Sequence, residues 1–175
     1  MGPPVRPIVG SYWLVDGHLL AGEYPAAYDR AITRDRLSKF LDAGVRTFVN
    51  LTETSEPLVA YDEVLRELAV EREVETKHLR FSIRDHDIPA ERHLMVRILA
   101  TIRDEIAAGR PVYVHCWGGI GRTGTVIGCW LVEDGLAGPD AIARIAELRS
   151  TTADRTSRSP ETDEQCRYVC EWIRE

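Results

Sequence analysis

Long apolar runs are missing from this chain. No stretch reaches the roughly 20 residues that a membrane-spanning helix needs. The opening MGPPVRPIVG has no apolar h-region, which predicts no cleaved leader. Cysteine is scarce too. Cys116, Cys129, Cys166 and Cys170 form no CxxC pair, and His18, His78, His86 and His93 show no ligand spacing, so no metal is assigned. Unpatterned cysteines fit free thiols in a reducing, cytoplasmic setting. Cys166 and Cys170 are expected to pack as small apolar residues on one helix face with Val169 and Ile173. Basic excess is also lacking: the net charge of −6 argues against nucleic acid or an anionic membrane as partner. No internal repeat or linker divides the chain. Its 175 residues, 44% apolar, fit one domain with a real core. We expect a flexible Pro-rich lead over 1–10 and one folded domain over 11–175.

What is present alternates between two periodicities. Tyr12 to Val15 and Leu19 to Ala21 flank Asp16-Gly17, a hairpin signal. A helix is expected from an N-cap at Thr33 to Gly44, with Leu37, Phe40 and Leu41 on one face. Thr47 to Leu51 reads as a buried strand, 52–59 as a polar loop, and Tyr61, Val64, Leu65 and Leu68 as an amphipathic helix. Leu79 to Ile83 alternates as a strand. Met95, Ile98, Leu99, Ile102 and Ile106 form a helical stripe ending at Gly109. Further helices are expected over Val126 to Val132, from Gly138-Pro139 through Leu148, and from near Pro160. Strands alternating with helices predict an α/β fold with a mostly parallel central sheet and helices on both faces.

The chemistry concentrates in Val112 to Gly124, VYVHCWGGIGRTG. A β-type run ends at Cys116, a loop holding Gly118, Gly119 and Gly121 follows, and an apolar helical run begins at Thr125. A glycine-rich loop entering a helix aims backbone N–H groups inward, and the helix dipole adds positive potential. Such a nest binds a phosphate-like dianion through the amides of Trp117, Gly118, Gly119, Ile120 and Gly121, with Arg122 adding a planar charged fork. The same field favours the thiolate of Cys116, the nucleophilic form. Thr123 is placed to hydrogen-bond the sulfur and stabilise it as a leaving group. The lysine of a nucleotide-binding GxxxxGK[ST] loop is absent.

His115-Cys116, five residues, then Arg122-Thr123-Gly124 resembles the signature loop of the cysteine-dependent protein tyrosine phosphatase superfamily, in the form carried by dual-specificity and kinase-associated phosphatases. The resemblance implies a dual-specificity phosphatase-like domain that needs no cofactor and acts on phosphorylated protein or peptide through a cysteinyl-phosphate. It gives His115 a supporting role, hydrogen-bonding the loop. Asp85 stands four residues before Pro89, as the family's general acid does, and Asp87 on the same loop is the alternative. Gln165 is placed as the glutamine that positions water. Two other classes stay open: a phosphoinositide, RNA 5′-end or small-molecule phosphatase, and a pseudophosphatase that only binds phosphorylated partners. Inositol-lipid members tend to carry lysines in the loop, and Trp117 to Ile120 contains none.

Overall fold

The computed structural model describes residues 4–174. Five strands form one sheet: β1 (Ser11–Val15), β2 (Leu19–Gly22), β3 (Thr47–Asn50), β4 (Lys77–Arg80) and β5 (Val112–His115), in the order β1-β2-β5-β3-β4. The β1–β2 hairpin is antiparallel and turns at Gly17, whose φ of 72° suits glycine. β5 runs parallel to both β2 and β3, and β4 parallel to β3. The six helices are α1 (Arg30–Asp42), α2 (Asp62–Glu71), α3 (Arg92–Ala107), α4 (Gly121–Glu133), α5 (Gly138–Leu148) and α6 (Asp163–Cys170).

Alternation along the strands builds two cores. Val112, Val114 and Cys116 face a cluster with Met95, Ile98, Val126, Ile127, Ile145 and Val169 from α3 to α6. Tyr113 points the other way, into Leu37, Phe40, Phe48, Leu65 and Leu68 from β3, α1 and α2. The single α/β domain, mostly parallel sheet and helices on both faces are as the sequence predicted. Of the proline-rich lead, 1–3 lie outside the described residues. Pro7 is buried, and Arg6 Nη1 donates to the Thr151 carbonyl at 3.1 Å.

Several boundaries differ from expectation. Asp29, not Thr33, caps α1 by accepting from Ala31 N, while Thr33 is buried and bonded to both backbone groups of Ala27. β4 pairs two residues early, although Phe81 N and Ile83 N still donate to Asn50 and Leu51 carbonyls. α4 starts at Gly121, because burial of this turn under the neighbouring loops outweighs glycine's poor helix propensity. α6 starts at Asp163, where Thr162 and Gln165 form a capping box. Its buried residues are Gln165 and Val169, with Trp172 just beyond; Cys170 and Ile173 are exposed.

The sheet's amino-terminal end is closed by Glu105. Its carboxylate accepts from Thr47 Oγ1 at 2.7 Å, Lys77 Nζ at 2.6 Å and Arg110 Nε at 2.5 Å. Arg110's hydrogen bonds lead, with those of Lys77 and Thr47, in bringing Glu105 down to about 2 against the pull of burial. A lowered carboxylate contributes stability that is full above the ordinary range near 4.3 and lost as pH falls toward the folded value. Glu105→Gln is expected to cost roughly 2–3 kcal/mol at pH 7. Urea midpoints should show that gap narrowing between pH 6 and pH 3.5; a pH-independent gap would refute the assignment.

Candidate active site

β5 is central and parallel to both neighbours, so its carboxyl end opens where the loops after β2, β3 and β4 converge, the usual crevice of such sheets. Cys116 follows directly and is buried beneath the surface. His115 turns to the opposite face, among Tyr24, Tyr61 and Tyr113. Its Nδ1 lies 3.1 Å from the Cys116 carbonyl, which can only accept, so Nδ1 carries the proton. Nε2 then accepts from the Tyr61 hydroxyl at 2.6 Å. Burial first, then His78, Arg80 and Arg122, bring His115 down to about 3, outweighing the bond to Cys116. His115 is therefore neutral, and it ties the Cys116 backbone to α2.

Beyond Cys116 the chain wraps into a nest. Among the described residues, no acceptor is found for the backbone N–H groups of Trp117 through Arg122. Gly119 has a φ of 71°, and a Cβ there would sit 2.3 Å from the carbonyl carbon of Gly22. Only glycine lets the loop press this closely on the end of β2. The Trp117 carbonyl accepts from Tyr24 N at 2.8 Å, fixing the other side. Trp117 itself is 45% exposed at the rim.

Arg122 is 1% exposed. Its Nη1 donates to Glu56 Oε1 at 2.5 Å and to the Ile83 carbonyl at 2.9 Å, and its Nη2 donates to Glu56 Oε2 at 3.0 Å. Burial pulls its pKa down, but Glu56, Cys116 and Asp85 more than restore it. Burial likewise pushes Glu56 up, and the bonds from Arg122 and Glu53 N win, leaving it below the ordinary carboxylate range. Arg122 Nε and Thr123 Oγ1 are buried without partners among the described residues.

The candidate acids separate cleanly in space. Asp85 Oδ1 lies 3.0 Å from Arg122 Nη2 and turns into the site. The carboxylate of Asp87 accepts from Ile88 N at 2.9 Å and stays on its own loop. The Asp87 carbonyl accepts from Gln165 Nε2 at 3.0 Å, and Gln165 Oε1 accepts from Glu161 N and Thr162 N, both at 3.1 Å. Gln165 is thus buried beside Gly121, where a Cβ would meet its amide at 3.1 Å, with both ends engaged in tying α6 to the acid-bearing loop.

Sequence reasoning missed Glu56 and Tyr61's hydroxyl. Residues 52–59 read as a plain polar loop. One signal was available: a buried arginine at this end of the sheet requires a carboxylate, and the loop after β3 carries Glu53 and Glu56. No group of three histidine, cysteine or acidic side chains among the described residues is arranged to hold a metal. None of their helices is long and apolar enough to cross a membrane.

Comparison with known proteins gives the chain's family and fold. Protein 067L of Invertebrate iridescent virus 3, a candidate tyrosine phosphatase, is 28% identical over 125 residues, covering 69% of this chain. The chain spans 45% of that relative, less than half its length. The crystal structure of Tk-PTP in a glycine-to-alanine mutant form matches with a TM-score of 0.68 at 25% identity, over 94% of this chain and 95% of that one. The kinase associated phosphatase, crystallised with its catalytic cysteine replaced by serine, matches in fold with a TM-score of 0.68 at 18% identity, over 87% of this chain and 84% of that one. The family model described as "Polymorphic toxin system, DSP-PTPase phosphatase" matches residues 25–136, a span that holds Glu56, Asp85, Cys116 and Arg122 and stops short of Gln165. With that span covering most of the chain, this protein belongs to the DSP-PTPase phosphatases of polymorphic toxin systems.

Proposed function

We propose that this chain hydrolyses phosphate monoesters on proteins, phosphotyrosine foremost and phosphoserine and phosphothreonine beside it, through a cysteinyl-phosphate. The observation that carries the reading is the run of donors without partners among the described residues, the amides of 117–122 and Arg122 Nε, in the segment that follows Cys116. A tetrahedral dianion satisfies such a run, and its phosphorus then faces the sulfur. Cys116 Sγ attacks phosphorus as the ester P–O bond breaks, and Asp85 donates a proton to the departing oxygen. Water then attacks the cysteinyl-phosphate, Asp85 takes its proton, and the S–P bond breaks to return thiolate and inorganic phosphate. In this reading His115 holds the loop without exchanging protons. Thr123 Oγ1, buried and free, supports the sulfur as it leaves. Gln165, with both amide ends already engaged, positions the acid-bearing loop and, through it, the attacking water.

A polyanionic inositol phosphate would call for several cations at the rim, and Trp117, Gly118, Gly119 and Ile120 offer none. A non-catalytic phosphate binder would have no use for an acid held against Arg122.

Cys116→Ser should abolish turnover of an aryl phosphate by at least about 10³-fold. Its affinity for tungstate should stay within a few-fold, since the amides and Arg122 remain. Substantial turnover by the serine variant would sink the covalent route.

Glu56→Ala should lower kcat/KM roughly 10²-fold, because a guanidinium displaced by an ångström no longer matches two phosphate oxygens. Glu56→Gln, which still accepts a hydrogen bond, should fall between. Steady-state kinetics of both variants decide this, and wild-type values would remove Glu56 from the mechanism.

The acid is assigned by a leaving-group series across pH. Asp85→Ala should lose roughly 10²–10⁴-fold on phosphopeptides and progressively less on aryl phosphates with more acidic phenols. Its pH–rate profile should lack the basic limb, which reports the protonated acid. Asp87→Ala should keep that limb; the reverse outcome would move the acid by two residues.

A further inference from the structure

A cleft of about 240 Å³ lies beside the phosphate-binding loop. Its walls come from Tyr24 and Tyr28 on the loop after β2, from Pro57, Leu58 and Val59 on the loop after β3, and from Trp117. Two covalent links join it to the site: Trp117 follows Cys116, and Pro57 follows Glu56, the carboxylate that holds Arg122. Its shape is held by the tyrosines, since Tyr24 Oη donates to the Val59 carbonyl at 2.9 Å and Tyr28 Oη to the Pro57 carbonyl at 3.4 Å. Trp117 is 45% exposed and Tyr28 87% exposed, an aromatic rim left in water at the mouth of a charged site.

We propose that this cleft is a substrate subsite that takes one apolar side chain flanking the phosphorylated residue of a peptide. The proposal rests on the phosphoprotein reading above and narrows it. Three observations select this occupant. The first is continuity: anything whose phosphate lies in the 117–122 nest passes Trp117, so the neighbouring residue of the same substrate falls over the cleft. The second is size. A volume of about 240 Å³ is below the roughly 300–1,000 Å³ of pockets that enclose whole small molecules. It suits one leucine- or phenylalanine-sized group, and aromatic walls bury such a group well.

The third is charge. Arg36 is the one cationic side chain of the lining, and Glu23 faces it at 3.7 Å. Burial raises Glu23 above the ordinary carboxylate range, and Arg36 offsets only part of that. The pair neutralises the end of the cleft, so it offers no net positive charge to a second phosphate or an acidic side chain. An inositol polyphosphate would need cations where the cleft presents Pro57, Leu58 and Val59.

The test uses two sets of phosphotyrosyl peptides, one varying the residue before the phosphotyrosine and one the residue after it, each with Leu, Gly or Asp. For the wild type, kcat/KM should favour Leu over Gly by about tenfold in one of the two sets, with Asp lowest. In Tyr28→Ala and in Val59→Glu that Leu-to-Gly ratio should fall to within about twofold of one. Each ratio is taken on a single enzyme, so a general loss of activity or of folded protein cancels. Both substitutions fall on exposed side chains. Wild-type turnover with equal rates for Leu, Gly and Asp in both sets would overturn the subsite and leave the phosphoprotein reading standing. So would a Leu preference that survives both variants. Hydrolysis of a soluble inositol bisphosphate faster than every peptide would overturn both.

Discussion

A charge is buried at the centre of this molecule, and two loops are placed by it. Removing a guanidinium from water costs several kcal/mol unless its donors are met by good acceptors. Arg122, in the first turn of α4, meets Glu56 from the loop after β3 and the Ile83 carbonyl and Asp85 from the loop after β4. Neither loop has regular structure to hold it. The loop bearing Glu56 is pinned at its base, where Arg80 Nη1 donates to the Thr52 carbonyl at 2.8 Å and Asn50 Oδ1 accepts from Thr52 N at 3.0 Å. One cation thus orders the two loops that carry Glu56, Ile83 and Asp85.

The legible and illegible parts of this arrangement divide along sequence distance. The nest was readable because anion binding needs its glycines, cysteine and arginine within one short stretch, at spacings set by the geometry of a tetrahedral ligand. The sheet was readable because the strands of a doubly covered sheet are short apolar runs. Glu56 was not readable: it sits 66 residues from Arg122, in a loop whose composition says only that it is polar. Helix starts were misread for a different reason. Thr33 has the right chemistry for a cap, but Asp29 takes that role and leaves the Thr33 hydroxyl to bind Ala27, a choice made by how the chain leaves β2. Gly121 begins α4 because packing against Gln165 and Glu161 fixes a turn that glycine alone would leave loose. The spacing to Pro89 favoured Asp85 over Asp87 but left both open; each carboxylate accepts from the next residue's N–H, and what parts them is that Asp85 also reaches Arg122 Nη2 at 3.0 Å.

The alternating direction of β5 keeps two chemistries apart. Cys116 looks toward the helices α3 to α6 and the anion nest, while His115 looks into a layer of tyrosines. Tyr61 and Tyr113, fully buried, are both raised well above an ordinary phenol, chiefly by desolvation. Together with a neutral imidazole they supply hydrogen bonds and no charge. The electrostatic field on the sulfur therefore comes from the loop amides, the α4 terminus and Arg122, all on the substrate side.

Buried polar groups elsewhere follow the usual rule. Glu105, Arg149, Ser159 and Gln165 all have partners, and single unpartnered atoms occur at Tyr12, Trp13 and Tyr168. The concentration of open donors in 117–123 is different in kind. Six consecutive amides, a guanidinium nitrogen and a hydroxyl could each have gained stability from an acceptor within the chain. Rigid neighbours prevent it: Gly119 is locked against β2, Trp117 against Tyr24, and Arg122 against Glu56. A loop free to move would fold inward and satisfy itself. In the proposed phosphoryl transfer, donors fixed before substrate arrives would need no reorganisation as charge builds on the transferring group, and that advantage would exist only because the surrounding contacts forbid the more stable alternative.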